Sequence, residues 1–146
     1  MTTSKRIDTA AAPPPIGAYP HARRHGNLLF LSGIGPRPPG GGSIPGVTLD
    51  AQGEVRDYDF EAQCHAVLAN VRAVLESASA RWEDLLDVTV YLVDIKRDFA
   101  VFNRIWGEYF GVNAPCRTTI EVNRLPTPIA IELKCIAAAT RDTDQP

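Results

Sequence analysis

Two periods organise the apolar positions of this chain. Phe60, Cys64, Val67, Leu68, Val71, Val74, Leu75 and Ala78 recur at the spacing of one helical face, which predicts a helix capped by Asp59 and running to Ser79. A second helix is predicted with Asp98 as its cap, Phe99, Phe102, Trp106, Tyr109 and Phe110 turned inward, and Gly111 as its stop. Between them, 87–93 (DVTVYLV) has the β-branched and aromatic content of a central strand. Further strands are predicted at 27–32 (NLLFLS), 117–122 (RTTIEV) and 129–139 (IAIELKCIAAA), the last two joined by the Pro-punctuated turn 123–128. A small hairpin turning at 51–53 fits within 47–58. Prolines and glycines crowd into the first third, which reads as loops and short strands. The order strand, hairpin, helix, strand, helix, strand, strand predicts an α+β fold, with a mixed sheet of five to six strands and two helices on one face.

That sheet has two apolar sides. Val88, Val90 and Leu92 point one way, while Tyr91 and Val93 point the other. Two helices cover one face only, so the second face is expected to meet another copy of the chain.

Composition narrows the class. With 146 residues, 45% of them apolar and 22% charged, the chain has the size of one core-forming domain. Residues 1–15 are expected as a flexible N-terminal segment, 16–140 as the folded domain and 141–146 as a polar tail. A net charge of −2 argues against binding nucleic acid by bulk charge. Most of the 15 cations are arginine, a residue suited to bidentate carboxylate recognition. Three cysteines at wide spacings read as free thiols in a reducing compartment. No stretch resembles a signal peptide or a bilayer span, so the expected location is the cytoplasm, without membrane association.

Several chemistries lack their residues. Neither a Gly-x-Gly-x-x-Gly loop nor a Gly-x-Ser-x-Gly elbow is present, and Gly40–Gly42 is not followed by the Lys-Ser/Thr of a phosphate loop. His21 and His25 stand four apart in a non-helical context without a third ligand, which argues against a metal. The informative segment is C-terminal. Glu132 sits in an apolar strand where a charge is costly unless paired. Folding 117–132 as a hairpin would set Arg117 opposite Glu132. That pair serves two readings: a structural cross-strand ion pair, or an anion-binding arginine beside a water-orienting carboxylate.

The run Pro115-Cys116-Arg117-Thr118-Thr119-Ile120-Glu121-Val122-Asn123-Arg124-Leu125-Pro126, followed by Ile131-Glu132-Leu133, resembles the signature of the reactive intermediate deaminase family, RidA or YjgF. The likeness continues through Gly17-Ala18-Tyr19, Leu31-Ser32-Gly33 and Phe102-Asn103, and covers 15–140 in order. It implies a chorismate-mutase-like fold assembled as a trimeric barrel, or a dimer of trimers, with clefts between subunits. It also implies cofactor-free hydrolysis of enamines or imines to a ketone and ammonia. By this resemblance Arg117 holds the substrate carboxylate and Glu132 positions the attacking water. The backbones of Gly33 and Thr119 contact substrate, and Tyr19 and Asn103 line the cleft.

The long link over 36–58 and the flanks around Tyr19 and Gly33 are similar to the 2-aminomuconate deaminase branch, which acts in aromatic-compound catabolism. That substrate is a dianion. Its second carboxylate needs another cation, and His21, Arg23, Arg24 and Arg37 are the candidates, with Arg37 favoured. The implied product is 4-oxalocrotonate. The alternatives are a broad 2-imino acid deaminase and a non-catalytic, chaperone-like trimer that binds small carboxylates.

Overall fold

The computed structural model describes residues 4–139. Among these residues eight strands and two α-helices follow in order: β1 (Ser4–Ile7), β2 (Ala22–His25), β3 (Leu28–Leu31), β4 (Val47–Leu49), β5 (Val55–Tyr58), α1 (Phe60–Ser77), β6 (Leu85–Leu92), α2 (Ile95–Phe110), β7 (Cys116–Glu121) and β8 (Ile131–Ala138). Six strands form one mixed sheet in the order β1-β2-β3-β8-β6-β7, and β4 and β5 form a separate hairpin. The expected α+β layering, with both helices on one face, is what the chain adopts.

Both helices begin on an aspartate, and the second begins earlier than the sequence suggests. Asp59 accepts the Ala62 N–H at 3.1 Å and opens α1. Asp94, rather than Asp98, caps α2 by accepting the Arg97 N–H at 3.0 Å. Asp98 lies inside the first turn, 2% exposed, and takes a 2.5 Å bond from the Tyr58 hydroxyl. Its carboxyl packs inward against the β4–β5 hairpin, so it is unavailable as a cap. At Gly46, φ is +70° and a β-carbon would lie 2.7 Å from the Asp59 carbonyl oxygen, so the hairpin meets the start of α1 at a glycine.

The core lies between the helices and one face of the sheet. Leu29, Leu31, Val88, Val90, Leu92, Ile131, Leu133, Cys135 and Ala137 supply the sheet side, all at 1% exposure or less. Residues of opposite parity form the other face, where Leu28, Phe30 and Ile120 remain 37–40% exposed.

Two strands escaped the sequence reading. Residues 4–7, assigned above to the flexible N-terminal segment, pair as β1 with β2, in register from Ser4↔His25 to Ile7↔Ala22. Both strands are short and rich in charge, so neither carries an apolar alternation. The 141–146 tail lies outside the described residues.

The largest correction concerns the C-terminal strands. β7 and β8 do not pair. β6 lies between them, parallel to β7 and antiparallel to β8. The physical reason is the β6–α2–β7 unit. A helix between two strands is the usual crossover of a parallel pair, so α2 returns the chain to the outer edge of β6. The other edge is then open to β8.

Candidate active site

This strand order separates the two charges that a hairpin would have joined. Arg117 is paired with Val88, and Val88 faces the helices. Glu132 is paired with Tyr91, which has the opposite parity and lies on the open face. Within one chain, Arg117 and Glu132 therefore stand on opposite sides of the sheet, and the expected cross-strand ion pair is absent.

The guanidinium of Arg117 rests against an aromatic wall from α2. Its central carbon is 5.8 Å from the Phe99 ring centroid, 5.2 Å from that of Phe102 and 5.1 Å from that of Trp106. One N–H donates to Asn103 Oδ1 at 2.7 Å. No aspartate or glutamate reaches it among the described residues, and desolvation lowers its pKa. The result is a fixed cation with unspent donors on the helix side of edge strand β7. Thr119 shares this face, and its Oγ1 is buried with no hydrogen-bond partner among the described residues.

Glu132 mirrors that arrangement on the other face. Its carboxyl makes no hydrogen bond or ion pair among the described residues, and burial raises its pKa. Gly33 lies against it: a β-carbon at position 33 would sit 3.1 Å from Glu132 Cδ. The approach is made by a bulge. Between the pairs Phe30↔Ile136 and Ile34↔Leu133, three residues of the β3 side face two of β8. Ser32 N–H turns to the His21 carbonyl at 3.0 Å, while the Gly33 N–H makes no hydrogen bond among the described residues. Lys134, on the same face as Glu132, donates through Nζ to the Leu31 carbonyl. An unpaired carboxyl beside an unpaired N–H can hold and polarise a water molecule.

A narrow cavity of about 30 Å³ opens beside Gly33, with Tyr19, His21, Ile34 and Arg37 in its wall. That space fits a water molecule. It is far below the few hundred Å³ that a small-molecule ligand occupies. Tyr19 is 37% exposed, and its Oη accepts the Ile16 N–H at 3.3 Å.

The four cation candidates now separate. His21 is 8% exposed, accepting the Thr9 N–H at Nδ1 (3.2 Å) and donating from Nε2 to the Pro13 carbonyl (2.9 Å). Both nitrogens are engaged, so it is a strut of the N-terminal arm. Arg24 reaches the Gly26 and Ala139 carbonyls, and Arg23 the Ser4 hydroxyl. Arg37 donates to the Pro14 carbonyl at 2.7 Å and has no acidic partner among the described residues. It also borders a second hollow of about 460 Å³ along Pro38, Gly40–Gly42 and Pro128.

The sequence reading missed the aromatic wall under Arg117, Lys134, and two buried amides of α1. Phe99, Phe102 and Trp106 were legible as a stripe, but a stripe does not say which strand it covers. Among the described residues, no three His, Cys, Asp or Glu side chains are grouped to hold a metal.

The family model for Endoribonuclease L-PSP matches residues 9–139. A RutC family protein of Pyrococcus horikoshii is 41% identical over 131 residues, covering 90% of this chain and 94% of that protein. The 2-iminobutanoate/2-iminopropanoate deaminase of Escherichia coli is 34% identical, covering 92% and 97%. Among solved structures, the E. coli YjgF gene product superposes with a TM-score of 0.77 at 34% identity over 92% of this chain and 98% of that one. E. coli TdcF with bound serine gives 0.78 at 31% over the same shares. The chain thus belongs to the Endoribonuclease L-PSP family, the group of RidA, YjgF and RutC proteins.

Proposed function

We propose that this protein is a cofactor-free deaminase that hydrolyses 2-imino acids, and their enamine tautomers, to 2-oxo acids and ammonia. The observation that carries the reading is that Arg117 and Glu132 are both held at half-buried positions without an ionic partner among the described residues. Folding leaves such charges unneutralised when a ligand or solvent is to complete them. The E. coli relative named for 2-iminobutanoate and 2-iminopropanoate supports the substrate class, and the relative with bound serine supports an α-amino carboxylate ligand.

In this reading the Arg117 fork takes the substrate carboxylate through two parallel hydrogen bonds, with Asn103 fixing its orientation. Water between Glu132 and the Gly33 N–H adds to the C=N carbon, and Glu132 accepts a proton from it. The raised pKa of Glu132 brings it nearer to working pH as a base. Glu132 returns that proton to nitrogen, and the carbinolamine then collapses: the C–N bond breaks as the hydroxyl oxygen closes to C=O and its proton passes to the leaving nitrogen, so the oxo acid and ammonia leave. The net change is one water consumed per ammonia released.

The two charges face opposite sides of one sheet, so a complete site needs Arg117 of one copy and Glu132 of another. A homotrimer, as the family resemblance implies, would supply that meeting and cover Leu28, Phe30 and Ile120. Ammonia release from 2-iminopropanoate, generated in situ and followed with wild type, Arg117→Ala and Glu132→Gln, tests the assignment. Wild-type turnover in either variant would refute that residue's role, and a sedimentation run giving only monomer at micromolar concentration would refute the shared site.

A narrower reading is favoured by Arg37. Among the described residues its guanidinium has only a carbonyl partner, and it stands between the Gly33 cavity and a larger hollow. This suits a second carboxylate, as in 2-aminomuconate. Higher kcat/KM for 2-aminomuconate than for 2-iminopropanoate, lost in Arg37→Gln for the dianion alone, is the expected result. The reverse preference makes the chain a broad 2-imino acid deaminase.

A further inference from the structure

Two amides are buried on the core side of α1. Gln63 and Asn70 are 0% and 4% exposed and stand seven residues apart, two turns along one stripe. Asn70 Nδ2 donates to the Gly35 carbonyl at 2.9 Å and to the Arg37 carbonyl at 2.8 Å. Gln63 Oε1 accepts the Ala130 N–H at 2.7 Å. One amide therefore holds the loop that carries Gly33, and the other holds the loop that leads into Glu132. The loops also touch, since a β-carbon at Gly35 would lie 2.8 Å from Ile129 Cδ1.

Gln63 keeps this contact at a cost. With Oε1 committed to Ala130, its Nε2 is buried without a hydrogen-bond partner among the described residues. Exchanging its two ends would set N–H against N–H at Ala130. An apolar side chain of similar volume would remove that orphan donor only by leaving the buried Ala130 N–H unpaired instead. The glutamine is thus tied to the backbone of the segment that leads into Glu132.

We propose that Gln63 and Asn70 are positioning residues that clamp the Gly33 loop and the Glu132 strand into one fixed approach, and so set the chemical step. The proposal rests on the deaminase reading above. Arg117 holds the carboxylate from β7, outside both clamped segments, so loss of a clamp should act on kcat and spare KM.

The test uses the full-length protein as Asn70→Ala, Gln63→Met and Gln63→Glu. Expected for Asn70→Ala and Gln63→Met are wild-type assembly, KM for 2-iminopropanoate within threefold, and kcat lowered at least tenfold. The acid limb of kcat should shift, because the surroundings of Glu132 change. Amide exchange should quicken over 33–37 in Asn70→Ala and over 129–132 in Gln63→Met. Gln63→Glu keeps an acceptor for the Ala130 N–H and should recover kcat relative to Gln63→Met. If Asn70→Ala does not fold, the two Gln63 variants decide. Quickened exchange with kcat within twofold of wild type would overturn the proposal, as would unchanged exchange in the clamped segments. A wild type that releases no ammonia from any 2-imino acid would sink the deaminase reading instead, and the exchange data would still judge the clamp.

Discussion

Arg117→Leu separates the structural and functional readings of that residue in a single protein. On the activity side, a bidentate contact comprises two charge-assisted hydrogen bonds, each worth about 1.5–3 kcal/mol. Losing both should cost about 3–6 kcal/mol, or about two to four and a half orders of magnitude in kcat/KM. On the stability side the terms oppose one another. Contacts with Phe99, Phe102 and Trp106 at 5.1–5.8 Å contribute about 0.5–1 kcal/mol as cation–π pairs. The Asn103 bond adds about 1 kcal/mol. Against these, leucine removes a desolvated cation that has no ionic partner among the described residues, and it lays apolar surface on the same rings, for about 1–2 kcal/mol. Net stability should therefore stay within about 1 kcal/mol of wild type, a Tm change within about 4 °C. The assay pairs ammonia release with thermal unfolding, with size-exclusion chromatography to confirm assembly. A Tm lower by 8 °C or more with kcat/KM preserved would show that Arg117 is part of the scaffold and would refute the anion-site argument. Arg117→Lys keeps the charge but loses the planar fork, and should fall between wild type and leucine.

Three further outcomes follow from the same geometry. Gly33→Ala places a methyl 3.1 Å from Glu132 Cδ, so kcat should fall by an order of magnitude or more; an unchanged rate would separate Gly33 from the chemistry. Leu133→Ala, in the core strand at 1% exposure, should cost about 3 kcal/mol in chemical denaturation, with a loss under 1 kcal/mol contradicting the packing described. Burial raises the pKa of both Glu132 and Asp98, so the folded chain binds protons more tightly than the unfolded one. Stability should then fall as pH rises from the unfolded carboxylate range through the folded values. Glu132→Gln with Asp98→Asn should flatten that slope in denaturation curves, and an unaltered slope would contradict the burial argument.

Much of the fold was legible because its signals are local. The α1 stripe from Phe60 to Leu75, its Asp59 cap and the Gly111 stop depend on neighbours within two turns, and each appears at or near the expected position. Where a local signal had a competitor, the sequence reading erred. Asp94 and Asp98 are both plausible caps, and only the inward bond of Asp98 to Tyr58, forty residues earlier, decides between them. β1 and β2 carry mostly charge, and their pairing depends on the β3 edge beside them rather than on their own pattern.

By itself the sequence determined which elements form, which residues are apolar on both sheet faces, and that Arg117, Glu132, Gly33 and Asn103 are the residues to examine. Strand order, and with it the side of the sheet on which each charge stands, was decided by the tertiary structure alone. A strand carries no local record of its neighbour. Pairing of β6 with both β7 and β8 follows from where α2 returns the chain and from which edges are left to bury. One strand inserted between Arg117 and Glu132 turns a cross-strand pair into two groups on opposite faces, each without an ionic partner among the described residues.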